Sequence, residues 1–158
     1  MTIILVLYST NGLCHTERNM LSVYINSNNE LFVEGRNMEI DALKNIVKEF
    51  ITNWENKAEL AETRICEIKY IGITKVSKGV TSIKCERNTK YGFYIKVHNE
   101  IHKAYNEVRN ESSLEIFGKP YNLLKKKFQK SINKKIPKRI SEAEPSYVWK
   151  EGVLVKND

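Results

Sequence analysis

His98 and His102 stand four residues apart, a spacing that on a helix can bring two imidazoles to a single metal ion. The residue after the first histidine is Asn99, with Glu100 in the middle position, so the pair is not the His-Glu-x-x-His pattern of zinc hydrolases. His98 falls inside an apolar stripe and His102 at its border, which favours core-edge histidines over ligands. Cys85 lies beside Glu86 and Arg87. A nucleophilic thiol needs an exposed, electropositive setting and a paired base, and no base is supplied nearby, so a buried or idle thiol is the preferred reading. No glycine-rich phosphate loop, Gly-x-Ser-x-Gly elbow or paired-carboxylate signature occurs, and the chain is read as non-enzymatic, with no cofactor, metal or small-molecule substrate.

The third chemical feature is charge. The net charge of +7 belongs to one segment: between Ile116 and Ser141 there are nine Lys or Arg and no acid, and the remainder is slightly acidic. Such a stretch can meet phosphates, a membrane surface or an acidic protein. The basic patch is Lys125, Lys126, Lys127, Lys130, Lys134 and Lys135. Phe117, Tyr121 and Phe128 are too few and too widely spaced for a base-stacking platform, so a solvated helix or membrane-facing surface is preferred over a nucleic-acid site. An anion- or nucleic-acid-binding module over 119–139 is the alternative from a different functional class.

Elements must carry these groups. Leu21, Val23 and Ile25 alternate with polar or smaller residues and predict a strand; Ser27-Asn-Asn29 turns the chain, and Glu30–Glu34 returns it, closed by Gly35. Leu43, Ile46, Val47, Phe50 and Ile51 give a helical stripe ending near Thr52-Asn53, with Glu39 and Asp41 in its first turn. One further strand is read across Ile65–Ile73. Val80–Cys85 is β-branched and alternating; Asn88 is read as a left-handed turn residue and Thr89 as the N-cap of a long helix carrying Tyr94, Val97, His98, Ile101, Ala104, Tyr105 and Val108 on one side. Phe117-Gly-Lys-Pro-Tyr121 breaks that helix. Leu123–Ile136 is a basic helix with Leu124, Phe128 and Ile132 inward, stopped by Pro137, and Tyr147–Val155 is a last strand interrupted by Gly152. The order predicts an α+β two-layer sandwich: a mixed sheet, two main helices on one face and an extra basic helical segment.

The length of 158 residues fits one domain or one domain with a tail. Cys14, Cys66 and Cys85 include no Cys-x-x-Cys, and their odd number argues against a disulfide framework without fixing the compartment. Met1–Tyr8 is apolar but stops at Ser9-Thr-Asn-Gly12, short of the roughly 20 residues a membrane span requires.

Several of these segments, in this order and spacing, resemble the extracytoplasmic domain of the ExbD/TolR biopolymer-transport family, in its variant with an extended segment after the second helix. They are Asn19–Gly35, Ile40–Phe50, Ser82–Arg109, Phe117-Gly-Lys119 and Ile140-Ser-Glu-Ala-Glu-Pro145. The resemblance covers Arg18 to Pro145. Asn88 stands where the family usually has Gly, and Glu86 where it usually has Asp. The resemblance implies an accessory subunit of a proton-motive-force-driven complex in the inner membrane, single-pass, with its folded domain in the periplasm. It implies an ExbB/TolQ-like channel subunit and a TonB/TolA-like protein as partners, a homodimer, and cell-wall polymer as a further contact.

The family's proton-carrying residue is an Asp in the membrane helix, where a carboxylate is costly unless functional. Nothing in Met1–Leu13 stands for it, and the first acid is Glu17, so no proton-carrying residue is assigned. The preferred expectation is that Met1 is an internal start and Ile3–Tyr8 the tail of a membrane helix; a specialised copy that does not couple to protons is the alternative. The organisation expected is 1–17 as apolar start, 18–112 as the ExbD/TolR-like domain, 113–145 as a basic inserted segment and 146–158 as terminal strand and tail. Arg87, Thr89, Tyr91, Tyr94, Ser141, Glu142 and Glu144 form the candidate partner or packing surface. The hairpin and the last strand are expected to offer edges for pairing with a second copy or an extended peptide.

Overall fold

The computed structural model describes residues 18–142, and the backbone of 147–150 and 153–156. The apolar start, Cys14, Glu17, Glu144, Pro145 and Gly152 lie outside the described residues. The architecture is the α+β sandwich that the sequence pattern predicts. β1 (Met20–Ile25), β2 (Leu31–Val33), β3 (Arg36–Met38), β6 (Val80–Cys85) and β7 (Ile140–Glu142) form one mixed sheet in the order β3-β2-β1-β6-β7. β1 pairs antiparallel with β2 and parallel with β6, and β6 pairs parallel with β7.

α1 (Ile40–Ile51) and α2 (Tyr91–Phe117) close one face of this sheet. The alternation in β1 sends Leu21, Val23 and Ile25 inward, where they meet Leu31, Val33 and Ile83 from the neighbouring strands. Leu43, Val47, Phe50 and Ile51 of α1, with Val97, Ile101, Ala104, Tyr105 and Val108 of α2, complete one continuous core. The helices are also clamped at the surface. Lys48 reaches Glu111 at 2.6 Å and Glu107 at 3.1 Å, and Lys44 reaches Glu107 at 2.8 Å. Such partly exposed pairs add specificity of packing more than stability. α2 ends where the sequence break predicts, with Gly118 as a left-handed C-cap.

The segment between α1 and β6 departs from expectation. The single strand read across Ile65–Ile73 is two strands, β4 (Thr63–Ile68) and β5 (Gly72–Ser77), paired antiparallel in a sheet of their own. The reversal is made by Tyr70 at φ 72° and Gly72 at φ 86°, and a tyrosine gives no signal of left-handed backbone. Gly79, between β5 and β6, is required by space: a Cβ there would lie 2.7 Å from the Phe50 ring and 2.9 Å from Ala61 Cβ.

A short 3-10 turn (Tyr121–Leu123) leads into α3 (Lys126–Lys135), the basic helix, which packs on the β4–β5 hairpin rather than standing free in solvent. The last predicted strand is also two, β8 (Tyr147–Lys150) and β9 (Val153–Lys156), an antiparallel pair separate from the main sheet. The expected pairing edges change accordingly. β3 occupies the outer side of β2, so the exposed rims of the five-stranded sheet are β3 and β7. Among the described residues no helix is long and apolar enough to cross a membrane.

Candidate functional site

The β6–α2 connection is built by lacing it to the β1–β2 turn. Glu86 N–H donates to the Ile25 carbonyl at 3.0 Å, and the Thr89 hydroxyl donates to the Asn26 carbonyl at 3.1 Å. Lys90 N–H donates to Asn29 Oδ1 at 2.9 Å. Two sequence expectations fail here. Thr89 is not the N-cap, because its hydroxyl is committed across to the β1 end; α2 starts at Tyr91 after Lys90, with no side-chain cap. Asn88 is not left-handed either; in this pair of turns Asn29, at φ 62°, and not Asn88, takes that conformation.

The Glu86 carboxylate accepts from the Tyr24 hydroxyl and, at 2.8 Å, from Ser27 N–H. Burial opposes ionisation of Glu86, but these hydrogen bonds outweigh it and hold the carboxyl below the usual carboxylate range. Tyr24 is pushed up, first by burial and then by its bond to Glu86. Beyond this corner, on the sheet face away from α1 and α2, a shallow concavity of about 580 Å³ includes Tyr24, Phe32, Lys84 and Glu86 in its lining.

The chemistry-bearing residues of α2 form a row along one side. Tyr91 stacks on Tyr94 with ring centroids 6.4 Å apart, Tyr94 approaches His98 at 5.8 Å, and His98 lies 4.3 Å from His102. The spacing of three or four residues places them one above another. β7 brings a partner to this row. Ile83 in β6 registers with Glu142, and the Glu142 carboxylate lies 3.3 Å from His98 Nε2. Glu142 also acts on the Tyr94 hydroxyl, whose pKa is pushed up to about 12 by burial first and by Glu142 second.

Lys138 Nζ lies 3.0 Å from His102 Nδ1, so the ammonium donates to an unprotonated ring nitrogen. Cys85 is half-buried at the end of β6. Among the described residues no three His, Cys, Asp or Glu side chains gather into a metal-binding group. The arrangement is proton-responsive: imidazoles, a carboxylate, a phenol and an ammonium tie a three-residue edge strand to a long helix.

Of the predicted surface residues, the fold therefore brings Tyr91, Tyr94 and Glu142 together. Ser141 is exposed on β7, but in register with Ser82 of β6, so its side chain lies on the sheet face opposite theirs. Thr89 is spent on holding the turn, and Arg87 is exposed in that turn. The residue that the sequence does not single out is Lys138. It was visible only as one of nine basic positions, and its role depends on Pro137 ending α3 and returning the chain to α2.

The basic patch divides. Lys125, Lys126, Lys127, Lys130 and Lys134 are exposed. Lys135 is half-buried, donates to Thr74 Oγ1 at 2.6 Å and sits 4.9 Å over the Trp54 ring, and burial pulls its pKa down. The expectation of a wholly solvated face is corrected at that position.

One pH dependence follows from this row. His102 is held below its usual pKa by burial first, then by Lys138 and His98, with Glu142 acting the other way. The unfolded chain therefore takes up this proton more readily than the folded one. The stability it contributes is complete above about pH 6.5 and falls as pH drops below that value. Urea unfolding between about pH 7.5 and pH 5.5 should show this loss, above the range of the depressed carboxylates. Lys138→Met should shallow the slope and move the His102 NMR titration upward. A wild-type unfolding midpoint unchanged across the interval would rule the coupling out.

No family model and no curated protein matches this chain.

Proposed function

We propose that this chain supplies the extracytoplasmic domain of an ExbD/TolR-like subunit in a proton-motive-force-driven energy-transduction complex serving transport across the outer membrane. One observation supports the reading most. Ser82–Arg109 and Ile140–Pro145, two pieces of the sequence resemblance, are separated by thirty residues. Their described parts nevertheless form one surface: Ile140–Glu142 pairs in parallel with Val80–Cys85, and Glu142 reaches His98 and Tyr94 on α2. A partner that reads one segment reads the other.

In this reading the domain is a binding and positioning module, not an enzyme. Its rims β3 and β7 leave backbone groups available for an added strand, either from a second copy or from an extended segment of a TonB/TolA-like protein. The inner-membrane location, the ExbB/TolQ-like channel partner, the homodimer and the contact with cell-wall polymer belong to the same proposal.

The test is site-specific photo-crosslinking in cells that make the complete protein with its channel and TonB/TolA-like neighbours. Probes at Tyr91 and Ser141 are expected to capture the TonB/TolA-like protein or a second copy of the chain, while a probe at Lys75, on the separate hairpin, captures neither. Absence of both products at Tyr91 and Ser141, in protein shown to be folded, would overturn the reading.

A further inference from the structure

The β4–β5 turn and the start of α3 meet at one basic, apolar-tipped corner. Lys126, Lys130 and Lys134 fall at i, i+4 and i+8 on α3 and are exposed, with exposed Lys127 beside them. Among the described residues, the ion pairs all lie elsewhere in the fold and none involves these lysines.

Apolar groups are exposed in the two turns that flank these lysines: Leu123, at the end of the 3-10 turn that leads into α3, is 69% exposed, and Tyr70, at the hairpin turn, is 46% exposed. Lys127 Nζ lies 5.2 Å from the centre of the Tyr70 ring and Lys69 Nζ lies 5.3 Å from it. The corner is rigidly backed: Tyr70 meets Phe128 edge-on at 5.2 Å, Phe128 packs on Phe117 at 4.9 Å, and Ser131 Oγ donates to the Lys69 carbonyl at 2.6 Å.

We propose that this corner is a docking surface for an anionic phospholipid bilayer. Three features choose that occupant. The charge is carried by lysines, compact ammoniums on long aliphatic stems, which suit diffuse headgroup charge and can lie along an apolar boundary. A leucine and a tyrosine stand among them, the combination of an aliphatic anchor and an amphipathic ring that seats at a membrane interface. Nucleic acid fits less well, because Phe128 is enclosed between Tyr70 and Phe117 and no succession of open ring faces is left for stacking bases. Docking here would lay α3 and the hairpin against the membrane while leaving the β7–α2 surface outside the contact. The inference does not rest on the energy-transduction reading, since crosslinking at Tyr91 and Ser141 does not involve this corner.

Vesicle co-sedimentation of the full chain tests it, using phosphatidylcholine vesicles with and without phosphatidylglycerol. Binding is expected only with phosphatidylglycerol, and it should weaken as salt is raised. The triple variant Lys126→Gln, Lys127→Gln, Lys130→Gln should bind about a hundredfold more weakly. Tyr70→Ser with Leu123→Ser should reduce vesicle binding but leave retention on heparin unchanged, which separates membrane seating from simple polyanion attraction. Circular dichroism checks that each variant is folded. Failure to bind phosphatidylglycerol vesicles, tighter binding to a single-stranded oligonucleotide, or equal loss of vesicle and heparin binding in the Tyr70/Leu123 variant would overturn the proposal.

Discussion

Tyr105→Ala should lower the unfolding free energy by about 3–5 kcal/mol, the range for removing a buried aromatic side chain. Tyr105 is 1% exposed and is among the largest fully buried side chains, at the centre of the α2 stripe. Its ring fills the layer between helix and sheet. Its hydroxyl donates to the Arg139 carbonyl at 3.1 Å and approaches the Thr81 hydroxyl at 3.4 Å. The residue thus joins α2 to β6 and to the chain entering β7. Burial raises its pKa, so it remains a neutral phenol through the physiological range.

Tyr105→Phe separates the two contributions. It keeps the packing and loses the hydrogen bonds to the Arg139 carbonyl and to the buried Thr81 hydroxyl, so about 1–3 kcal/mol is expected. The Arg139 carbonyl would not be stranded, because it also accepts Thr81 N–H at 2.9 Å. Urea unfolding of both variants checks the ordering. A Tyr105→Ala loss no larger than that of Tyr105→Phe would mean the ring does not carry the layer.

Ile132→Ala is the second large effect, about 2–5 kcal/mol by the same measure, and it should be local. Ile132 is 0% exposed but lies outside the main core cluster, on α3, which packs on the β4–β5 hairpin and on α2. The polar bonds there, Ser131 to the Lys69 carbonyl and Lys135 to Thr74, cannot by themselves hold a helix with five lysines in place once the apolar contact has gone. Hydrogen exchange is the appropriate measurement. Amides of 126–136 and 63–77 should lose about a hundredfold of their protection, while those of β1 and β6 keep theirs. Uniform loss over the whole chain would show that α3 and the hairpin are not a separable unit. Ile132→Val should cost only about 0.5–1.5 kcal/mol.

The parts of the fold legible in the sequence are those fixed by long, regular periodicity. β1 announces itself by alternation because it buries one face, and β6, buried on both faces at Thr81–Ile83, by its β-branched residues. α1 and α2 carry apolar stripes several turns long, and the Gly118 break is a local backbone requirement. β3 and β7 are three residues each, too short for any period to show, and Arg36-Asn37 has no strand-like character. They are strands because a neighbouring strand offers unpaired backbone groups. Thr89 has the chemistry of an N-cap, but a carbonyl 63 residues away claims its hydroxyl.

The candidate site divides the same way. Tyr91, Tyr94, His98 and His102 share a side of α2 by spacing alone, so their proximity is written in the chain. Glu142 and Lys138 reach that row only because β7 docks beside β6 in one particular register. The sequence by itself therefore determined the two-layer α+β architecture, the α2 row and the concentration of positive charge in one segment, since each follows from local periodicity or composition. Only the tertiary structure decided that the basic helix backs onto a separate hairpin, and that an edge strand meets the histidines. Those contacts depend on burying apolar surface and pairing backbone groups between segments distant in sequence, for which no local pattern codes.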